Sequence, residues 1–321
     1  MYRRCVTFRL LTRLSLGGVL LACSSNTTPQ MAHSRPLYVA NASSNSITVY
    51  AESASGNTTP AATISGSNTQ VHQPEGIGLD APGRLYVANV VNNTVTIYAA
   101  GATGNAAPVS TITGSSTALN GPLGLALDAA GRLYVANNAG STITVYAAGA
   151  TGNATPTATI AGTNTGLNQP AGIAFDATGR LYVANYGNTV TVYAPGASGN
   201  AAPAATITGS NTGLNQPTGI ALDAAGRLYV ANSSSSITVY APGANGNAAP
   251  TATIVGNNTG LDFPFGIALD PTGRLYVANF SSINAHYSIT VYAPGASGDA
   301  TPAATIAGSN TGLSAPTGIT F

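Results

Sequence analysis

Apolar and polar residues alternate with a period of two in short segments along most of the chain. Residues 217–254 show one complete unit: "PTGIALD", "RLYVANS", "SSITVYA" and "TATIV", separated by stretches rich in Gly, Pro and Asn. Segments rich in Val, Ile, Thr and Tyr with this period predict β-strands. We therefore expect four strands per unit, an inner one first. In the third strand, Ile237 and Val239 alternate with Thr238 and Tyr240, which predicts one buried face.

The segment L-Y-V-A-N occurs six times, 47 or 48 residues apart. The copies begin at Leu37, Leu85, Leu133, Leu181, Leu228 and Leu275. Strand-rich units of this period are typical of propeller blades. The chain enters the repeat in a second strand and ends, at residues 316–321, in a first strand. The pattern therefore predicts an all-β fold over residues 37–321: a six-bladed β-propeller of four-stranded blades, its ring closed by the C-terminal strand.

A turn motif, D-x-x-G-R, precedes five of the six L-Y-V-A-N segments. The copies are Asp80–Arg84, Asp128–Arg132, Asp176–Arg180, Asp223–Arg227 and Asp270–Arg274. An Asp side chain can cap the N–H groups of such a turn, and Gly can adopt a left-handed backbone. Because the copies are equivalent, we interpret these Asp residues as turn-forming and not catalytic. We interpret the repeated Tyr of L-Y-V-A-N as packing within the blades.

The N-terminus has the pattern of a targeting segment. Four Arg precede a short apolar run from Leu14 to Leu21, which is too short to cross a bilayer. The sequence "LLAC" ending at Cys23 resembles a bacterial lipobox. We therefore predict a signal peptide at residues 1–22, a lipidated Cys23 and a flexible tether through residue 36, with the protein on the extracytoplasmic side of the cell envelope. An ordinary secretory signal, giving a secreted protein, is the alternative.

The composition narrows the function classes. Only 6% of residues are charged and 44% are apolar, and the sequence contains no Lys and no Trp. A nucleic-acid binder needs a basic surface, so this class is excluded, and the apolar content excludes a disordered chain. From Cys23 onwards six Arg stand against nine acids, a formal charge of −3, which indicates no particular partner. We expect a monomer that contacts the membrane only through its lipid.

The order P-x-G-I-A-L-D, x-x-G-R-L-Y-V-A-N and I-T-V-Y resembles the NHL-repeat family of β-propellers over residues 37–321. The resemblance implies a protein-interaction module, and related six-bladed propellers work as metal-dependent lactonases or lyases. That family commonly has Asp where this chain has Asn at the end of L-Y-V-A-N. The exchange is expected to lower the negative charge near the turns between second and third strands.

Motifs of catalysis are sparse. The sequence contains no G-x-S-x-G, P-loop or C-x-x-C motif, and His72 and His286 are too far apart in sequence to indicate a zinc site. A calcium-dependent lactonase would need a set of carboxylates at the channel. The acids outside the turn motif are Glu52, Glu75, Asp262 and Asp299. We therefore predict no catalytic residue, no metal ligand and no cofactor, with Ca²⁺ the one ion left open.

Departures from the repeat indicate where a site could lie. The position between Pro and Gly at the start of each inner strand should be exposed at the channel mouth. In blade order it is occupied by Thr317, Glu75, Leu123, Ala171, Thr218 and Phe265. The sixth blade also has an expanded loop at residues 279–288. The hypothesis is a ligand or partner site in one sector of one face, formed by His72, Glu75, Asp262, Phe263, Phe265, His286 and Tyr287.

Sequence drift in exposed loops would leave the same pattern, so the site stays a hypothesis at this point. Between the two function classes, the scarcity of ligating side chains favours a binding or interaction module for an unknown protein or small molecule. The alternative is an extracytoplasmic hydrolase or lyase, similar to a lactonase, acting on a small substrate in the channel.

Overall fold

Strands and turns make up the part of the chain that the structure, a computed structural model, describes: residues 35–281 and 287–321. The predicted signal peptide, Cys23 and nearly all of the tether lie outside these residues, as does His286. Within the described ranges there is no helix long and apolar enough to cross a membrane.

Twenty-four strands form six antiparallel sheets of four. The inner strands are β4 (Pro74–Leu79), β8 (Pro122–Leu127), β12 (Pro170–Phe175), β16 (Pro217–Leu222), β20 (Pro264–Leu269) and β24 (Pro316–Thr320). The second strands are β1 (Leu37–Asn41), β5 (Leu85–Asn89), β9 (Leu133–Asn137), β13 (Leu181–Asn185), β17 (Leu228–Asn232) and β21 (Leu275–Asn279). The third strands are β2 (Ser46–Tyr50), β6 (Thr94–Tyr98), β10 (Thr142–Tyr146), β14 (Thr189–Tyr193), β18 (Ser236–Tyr240) and β22 (Ser288–Tyr292). The fourth are β3 (Ala62–Ile64), β7 (Ser110–Ile112), β11 (Ala158–Ile160), β15 (Ala205–Ile207), β19 (Ala252–Ile254) and β23 (Ala304–Ala307).

The C-terminal strand closes the ring, as predicted. Strand β24 pairs antiparallel with β1, with Tyr38 opposite Thr320 and Val39 opposite Ile319. Blade 1 is therefore β24-β1-β2-β3, and blades 2 to 6 follow in chain order from β4 to β23. The six-bladed all-β propeller expected from the repeat is confirmed.

The hydrophobic core is divided among the six interfaces between neighbouring blades. At the interface of blades 6 and 1, for example, Ile289 and Val291 pack with Leu37, Val39 and Tyr50. Because every blade has a neighbour on each side, the third strands are buried on both faces. The prediction of a single buried face was therefore wrong.

The Asn that ends each L-Y-V-A-N segment is fully buried in all six blades. In blade 5 the side-chain amide of Asn232 donates to the carbonyl oxygen of Val230 at 3.4 Å and to Oγ1 of Thr238 at 3.2 Å. Its Oδ1 accepts from the N–H of Asn215 at 3.0 Å. A side chain with both donor and acceptor groups is needed here, so the Asn serves a buried network more than it adjusts charge near a turn.

The D-x-x-G-R turns have the predicted geometry and one additional feature. Oδ1 of Asp223 accepts from the N–H of Arg227 at 2.9 Å, and Gly226 has a φ of 80°. In addition, Nε of Arg227 donates to Oδ2 of Asp223 at 2.6 Å, and its guanidinium lies 5.9 Å from the ring centroid of Tyr229. The motif therefore joins turn, ion pair and aromatic ring in one unit.

The long hairpin loop of each blade reaches the preceding blade. Gly246 forms a parallel bridge with Ile207, and Oδ1 of Asn247 accepts from the N–H of Asn211 at 2.8 Å. In blade 6 the same role falls to Asp299, whose Oδ1 accepts from the N–H of Asn258 at 2.7 Å. These loops cover the outer strand edges, which would otherwise be open for pairing with another chain.

Candidate functional site: the axial cavity

A β-bulge opens each inner strand at the Pro-x-Gly motif. In blade 2, Pro74 pairs with Asn89 and Ile77 with Val87, so that Glu75 and Gly76 together face a single residue of the partner strand. The same shift occurs in all six blades. A bulge redirects the side chains of a strand, and here it brings the residue between Pro and Gly to the propeller axis.

A ring of glycines joins the six bulges at the axis. A Cβ on each of these glycines would stand 2.1 to 2.5 Å from a main-chain carbonyl oxygen of the next blade. The pairs are Gly76 with Leu123, Gly124 with Ala171, Gly172 with Thr218, Gly219 with Phe265, Gly266 with Thr317 and Gly318 with Glu75. Any side chain larger than hydrogen would separate the strands, so the motif requires Gly. The channel is thus narrowed by the backbone itself.

Above this ring, at the end where the inner strands begin, lies a cavity of about 60 Å³ that we call the axial cavity. Its lining consists of the ring glycines together with Glu75, Leu123, Ala171, Thr218 and Phe265. These positions are less exposed than we expected: Glu75 is 7% exposed and Thr218 1%. The glycine ring explains the difference, because it draws the inner strands close together.

The narrow ring also changes how the predicted site is distributed. Leu123 and Thr218, on blades 3 and 5, line the same cavity as Glu75 and Phe265. Residues on different sides of the ring are therefore within reach of one bound group. The axial cavity therefore takes its lining from several sides of the ring, and the predicted site in one sector of this face stays a prediction.

Glu75 supplies the charged group among the described lining residues. Its Oε2 accepts a hydrogen bond from none of the described residues, and burial raises the pKa of its carboxyl to about 8. The phenol of Tyr186, which follows β13, is close enough for the two groups to interact. Burial, and next the charge of Glu75, raise the pKa of Tyr186 above its usual value.

Blade 6 carries a cluster of aromatic side chains that includes Phe265 of the cavity lining. The ring of Phe265 lies 6.1 Å from that of Phe280, and Phe280 lies 5.8 Å from Phe263, centroid to centroid. Phe263 has a φ of 50°, a left-handed backbone that bulky residues rarely adopt. Tyr287 is half-buried directly before β22.

The remaining predicted residues stand apart from the described lining. His72 is exposed, and its ring Nδ1 lies 3.0 Å from the carbonyl oxygen of Gln70. Asp262 occupies the equivalent place in blade 6, where its N–H donates to Asn279. Of the seven predicted residues, Glu75 and Phe265 therefore share the cavity, and Phe263 is linked to them through Phe280.

Tyr186 and Phe280 were missed by the sequence reasoning. Both directly follow an L-Y-V-A-N segment, a position occupied in blade order by Ala42, Val90, Asn138, Tyr186, Ser233 and Phe280. This position varies as much as the one between Pro and Gly. Comparison of the repeats at every position, and not only at the inner strands, would have found it.

The lining does not fit a metal ion. Ca²⁺ takes six to eight oxygen ligands and zinc takes three or four nitrogen, sulfur or oxygen ligands. In residues 35–281 and 287–321 no three His, Cys, Asp or Glu come together in a way that could hold a metal. The hydroxyl of Thr218 is already engaged with the carbonyl oxygen of Pro264 at 2.9 Å. We therefore derive no chemistry through a metal.

A larger cavity, of about 470 Å³, lies at the opposite end of the ring. Its lining includes Arg35, Asp223, Arg227, Asp270 and Phe321. The acids there are already paired, since Asp223 binds Arg227 and Asp270 binds Arg274. These ion pairs thus stabilise the turns.

Comparison with known proteins gives the family and the fold. No curated protein matches the chain. A protein of unknown function from Bacteroides caccae aligns with a TM-score of 0.66 at 12% identity, over 89% of this chain and 98% of that one. A chain of a nidogen/laminin complex aligns with a TM-score of 0.60 at 17% identity, over 88% and 97%. At such identities the likeness concerns the fold alone.

The resemblance to NHL repeats remains a prediction. The family described as "SMP-30/Gluconolactonase/LRE-like region" matches residues 110–301, which is more than half of the chain. The match runs from the fourth strand of blade 2 to the third strand of blade 6, and it includes the bulges at Leu123, Ala171, Thr218 and Phe265. The chain belongs to the SMP-30/gluconolactonase/LRE-like family.

Proposed function

We propose that this protein is a binding propeller, similar to NHL-type interaction modules, that receives a ligand or partner at the end of the ring where the inner strands begin. The observation that carries the proposal is the axial cavity: a glycine ring narrows the channel beneath it, and its lining includes Glu75, whose buried Oε2 has no hydrogen-bond partner among the described residues. Burial of a charged carboxylate without a partner is costly, so the carboxyl of Glu75 favours its protonated form when no cation is bound, and a cationic ligand would stabilise the charged form.

The size of the cavity favours binding over turnover. Sites for small-molecule substrates usually enclose about 300 to 1,000 Å³, whereas the axial cavity has about 60 Å³. A sugar-sized lactone would not fit without separation of the inner strands, which the backbone contacts of the glycine ring oppose. A small charged group of a larger ligand, inserted from outside, would fit.

An extracytoplasmic hydrolase or lyase is the second candidate, and one observation favours it. A carboxyl whose pKa is about 8 is suited to general acid–base catalysis near neutral pH. The family description also includes a gluconolactonase. This candidate requires the substrate to be attacked above the cavity and not inside it.

The location proposed for the protein is the extracytoplasmic face of a membrane, anchored through Cys23. The support is the sequence alone: basic residues, the apolar run Leu14–Leu21 and the "LLAC" motif. Replacement of Cys23 by Ser should move the protein from the membrane fraction to the soluble fraction. Continued membrane association of the Ser variant would contradict the lipid anchor.

Capture from the native envelope tests the binding function. Bead-bound protein carrying Glu75→Gln with Phe265→Ala should lose the partner or ligand that the wild-type protein retains. The matched control is Asp299→Asn with Val255→Ala, which also removes one acid and one apolar side chain but lies on the outer part of blades 5 and 6. Equal loss from both pairs, or retention by both, would contradict the proposed site.

A further inference from the structure

The axial cavity has the chemistry of a site for a primary ammonium group. We propose that Glu75 binds such a group, either on a free amine or on a lysine side chain of a partner. This inference rests on the binding function proposed above and names the ligand class. It starts from a buried carboxylate oxygen that accepts no hydrogen bond from the described residues, Oε2 of Glu75.

The distribution of charge favours a cation at this end. Every Arg among the described residues lies in or beside the turns at the opposite end of the ring: Arg35, Arg84, Arg132, Arg180, Arg227 and Arg274. The chain contains no Lys. A cation entering the axial cavity therefore meets the Glu75 carboxylate without competition from a described Arg, and a charge-assisted hydrogen bond in an enclosed site is strong.

The apolar side chains that line the axial cavity suit the carbon chain of an amine. Leu123 and Phe265 line the cavity, and the ring of Phe280 packs against Phe265. Such surfaces accept the methylene groups next to an ammonium nitrogen. An aromatic ring also attracts a cation placed over its face. Phe265 lines the cavity together with Glu75, and Tyr186 is close enough to Glu75 for the two groups to interact.

The volume of the axial cavity favours some cations over others. At about 60 Å³ the cavity accepts a group of a few heavy atoms. An ammonium nitrogen with its first methylenes is of this size, while a trimethylammonium group is bulkier and carries no N–H donor. Divalent metals require several oxygen ligands, which the lining does not supply. A primary ammonium can donate one of its three hydrogens to the Glu75 carboxylate, which a trimethylammonium group cannot do.

Binding should be coupled to a proton. Because burial raises the pKa of Glu75 to about 8, the carboxyl is mostly protonated at pH 7. An ammonium ion favours the carboxylate, so its binding releases that proton to solvent. Tyr186, the described titratable group that faces Glu75, has a pKa raised above its usual range and stays neutral.

Calorimetric titration of the purified propeller with n-butylammonium tests the proposal, with n-butanol and tetramethylammonium as controls for charge and size. We expect saturable binding of n-butylammonium, release of close to one proton at pH 7 in buffers of different ionisation enthalpy, and affinity that rises with pH up to about 8. Glu75→Gln should weaken binding about tenfold or more. Asp299→Asn should leave it unchanged.

Two further experiments extend the test. One distinguishes a free amine from a lysine side chain, and the other distinguishes failure of the ammonium site from failure of the proposed binding function. A pentapeptide with a central lysine, compared with its norleucine analogue, binds only if the cavity accepts the group on a peptide. Absence of saturable n-butylammonium binding, or equal binding by Glu75→Gln, would overturn the ammonium site. If n-butylammonium did not bind but envelope capture still depended on Glu75 and Phe265, the binding function would stand and only the ammonium ligand would be wrong. If neither result were obtained, both proposals would be wrong.

Discussion

Gly318, in the last strand, lies against the main-chain carbonyl oxygen of Glu75 in blade 2: a Cβ at position 318 would stand 2.2 Å from that oxygen. This contact completes the glycine ring and joins the last inner strand along the chain, β24, to the first one, β4, at the propeller axis. It also couples closure of the ring to the candidate site, because the residue whose backbone receives the contact carries the unpartnered carboxylate.

Replacement of Gly318 by Ala should therefore destabilise the protein. The added methyl would meet backbone, which cannot yield as a flexible side chain can, and overpacking of this kind costs about 1 to 3 kcal/mol. Denaturant unfolding followed by circular dichroism measures the effect. The control is Gly140→Ala, whose Cβ would meet its nearest described atoms at 3.4 Å and which has no left-handed φ. Equal stability of the two variants would contradict the glycine ring.

Truncation after Asn310 should destabilise the protein far more than loss of a terminal strand usually does. It removes β24, so that β1 loses one of its two partners and the inner strands of blades 2 and 6 lose the neighbour between them. It also removes the carbonyl of Thr311 that accepts from the hydroxyl of Tyr50. A thermal melt is the measurement. A melting temperature within about one or two degrees of the full chain would contradict ring closure.

Replacement of Asn232 by Asp should be costly. The new carboxylate could no longer donate to Val230 and Thr238 and would be fully buried, which costs about 1 to 3 kcal/mol or more. Asn247→Asp makes the same chemical change on the outer loop, where Asp299 already fills the equivalent role in blade 6. We expect that control to be nearly neutral. Similar unfolding free energies for the two variants would be inconsistent with the buried amide network.

Glu75 should give the protein a characteristic pH dependence. The carboxyl titrates near 4.5 in the unfolded chain and near 8 in the folded one, so between these values the folded state binds the extra proton. The unfolding free energy should therefore fall as the pH rises from about 4.5 to about 8, by at most about 1.4 kcal/mol per pH unit. Glu75→Gln should remove this decline, and Asp299→Asn should keep it. An unchanged slope in Glu75→Gln would show that Glu75 is not its source.

The fold could be predicted from the sequence because each blade repeats the same local chemistry. L-Y-V-A-N, I-T-V-Y and D-x-x-G-R fix the strands and turns, and the strand at residues 316–321 supplies what the first blade lacks. The arrangement of the site was harder to predict from the sequence. Leu123 and Phe265 line one cavity only because the six bulges approach the axis closely. Tyr186 and Glu75 interact although they belong to blades that are not neighbours. Such distances are set by tertiary packing and not by local pattern.

The proposed function assigns a binding cavity, in place of a metal-dependent catalytic centre, to the axis of this member of the family. Hydrolysis of a small sugar lactone in the presence of Ca²⁺, Mn²⁺ or Zn²⁺, with wild-type protein and with Glu75→Gln, tests it most directly. We expect no metal-stimulated hydrolysis above the uncatalysed rate in either protein, because the axial cavity offers one carboxylate and about 60 Å³. Saturable, metal-dependent turnover by the wild-type protein that is lost in Glu75→Gln would contradict the account.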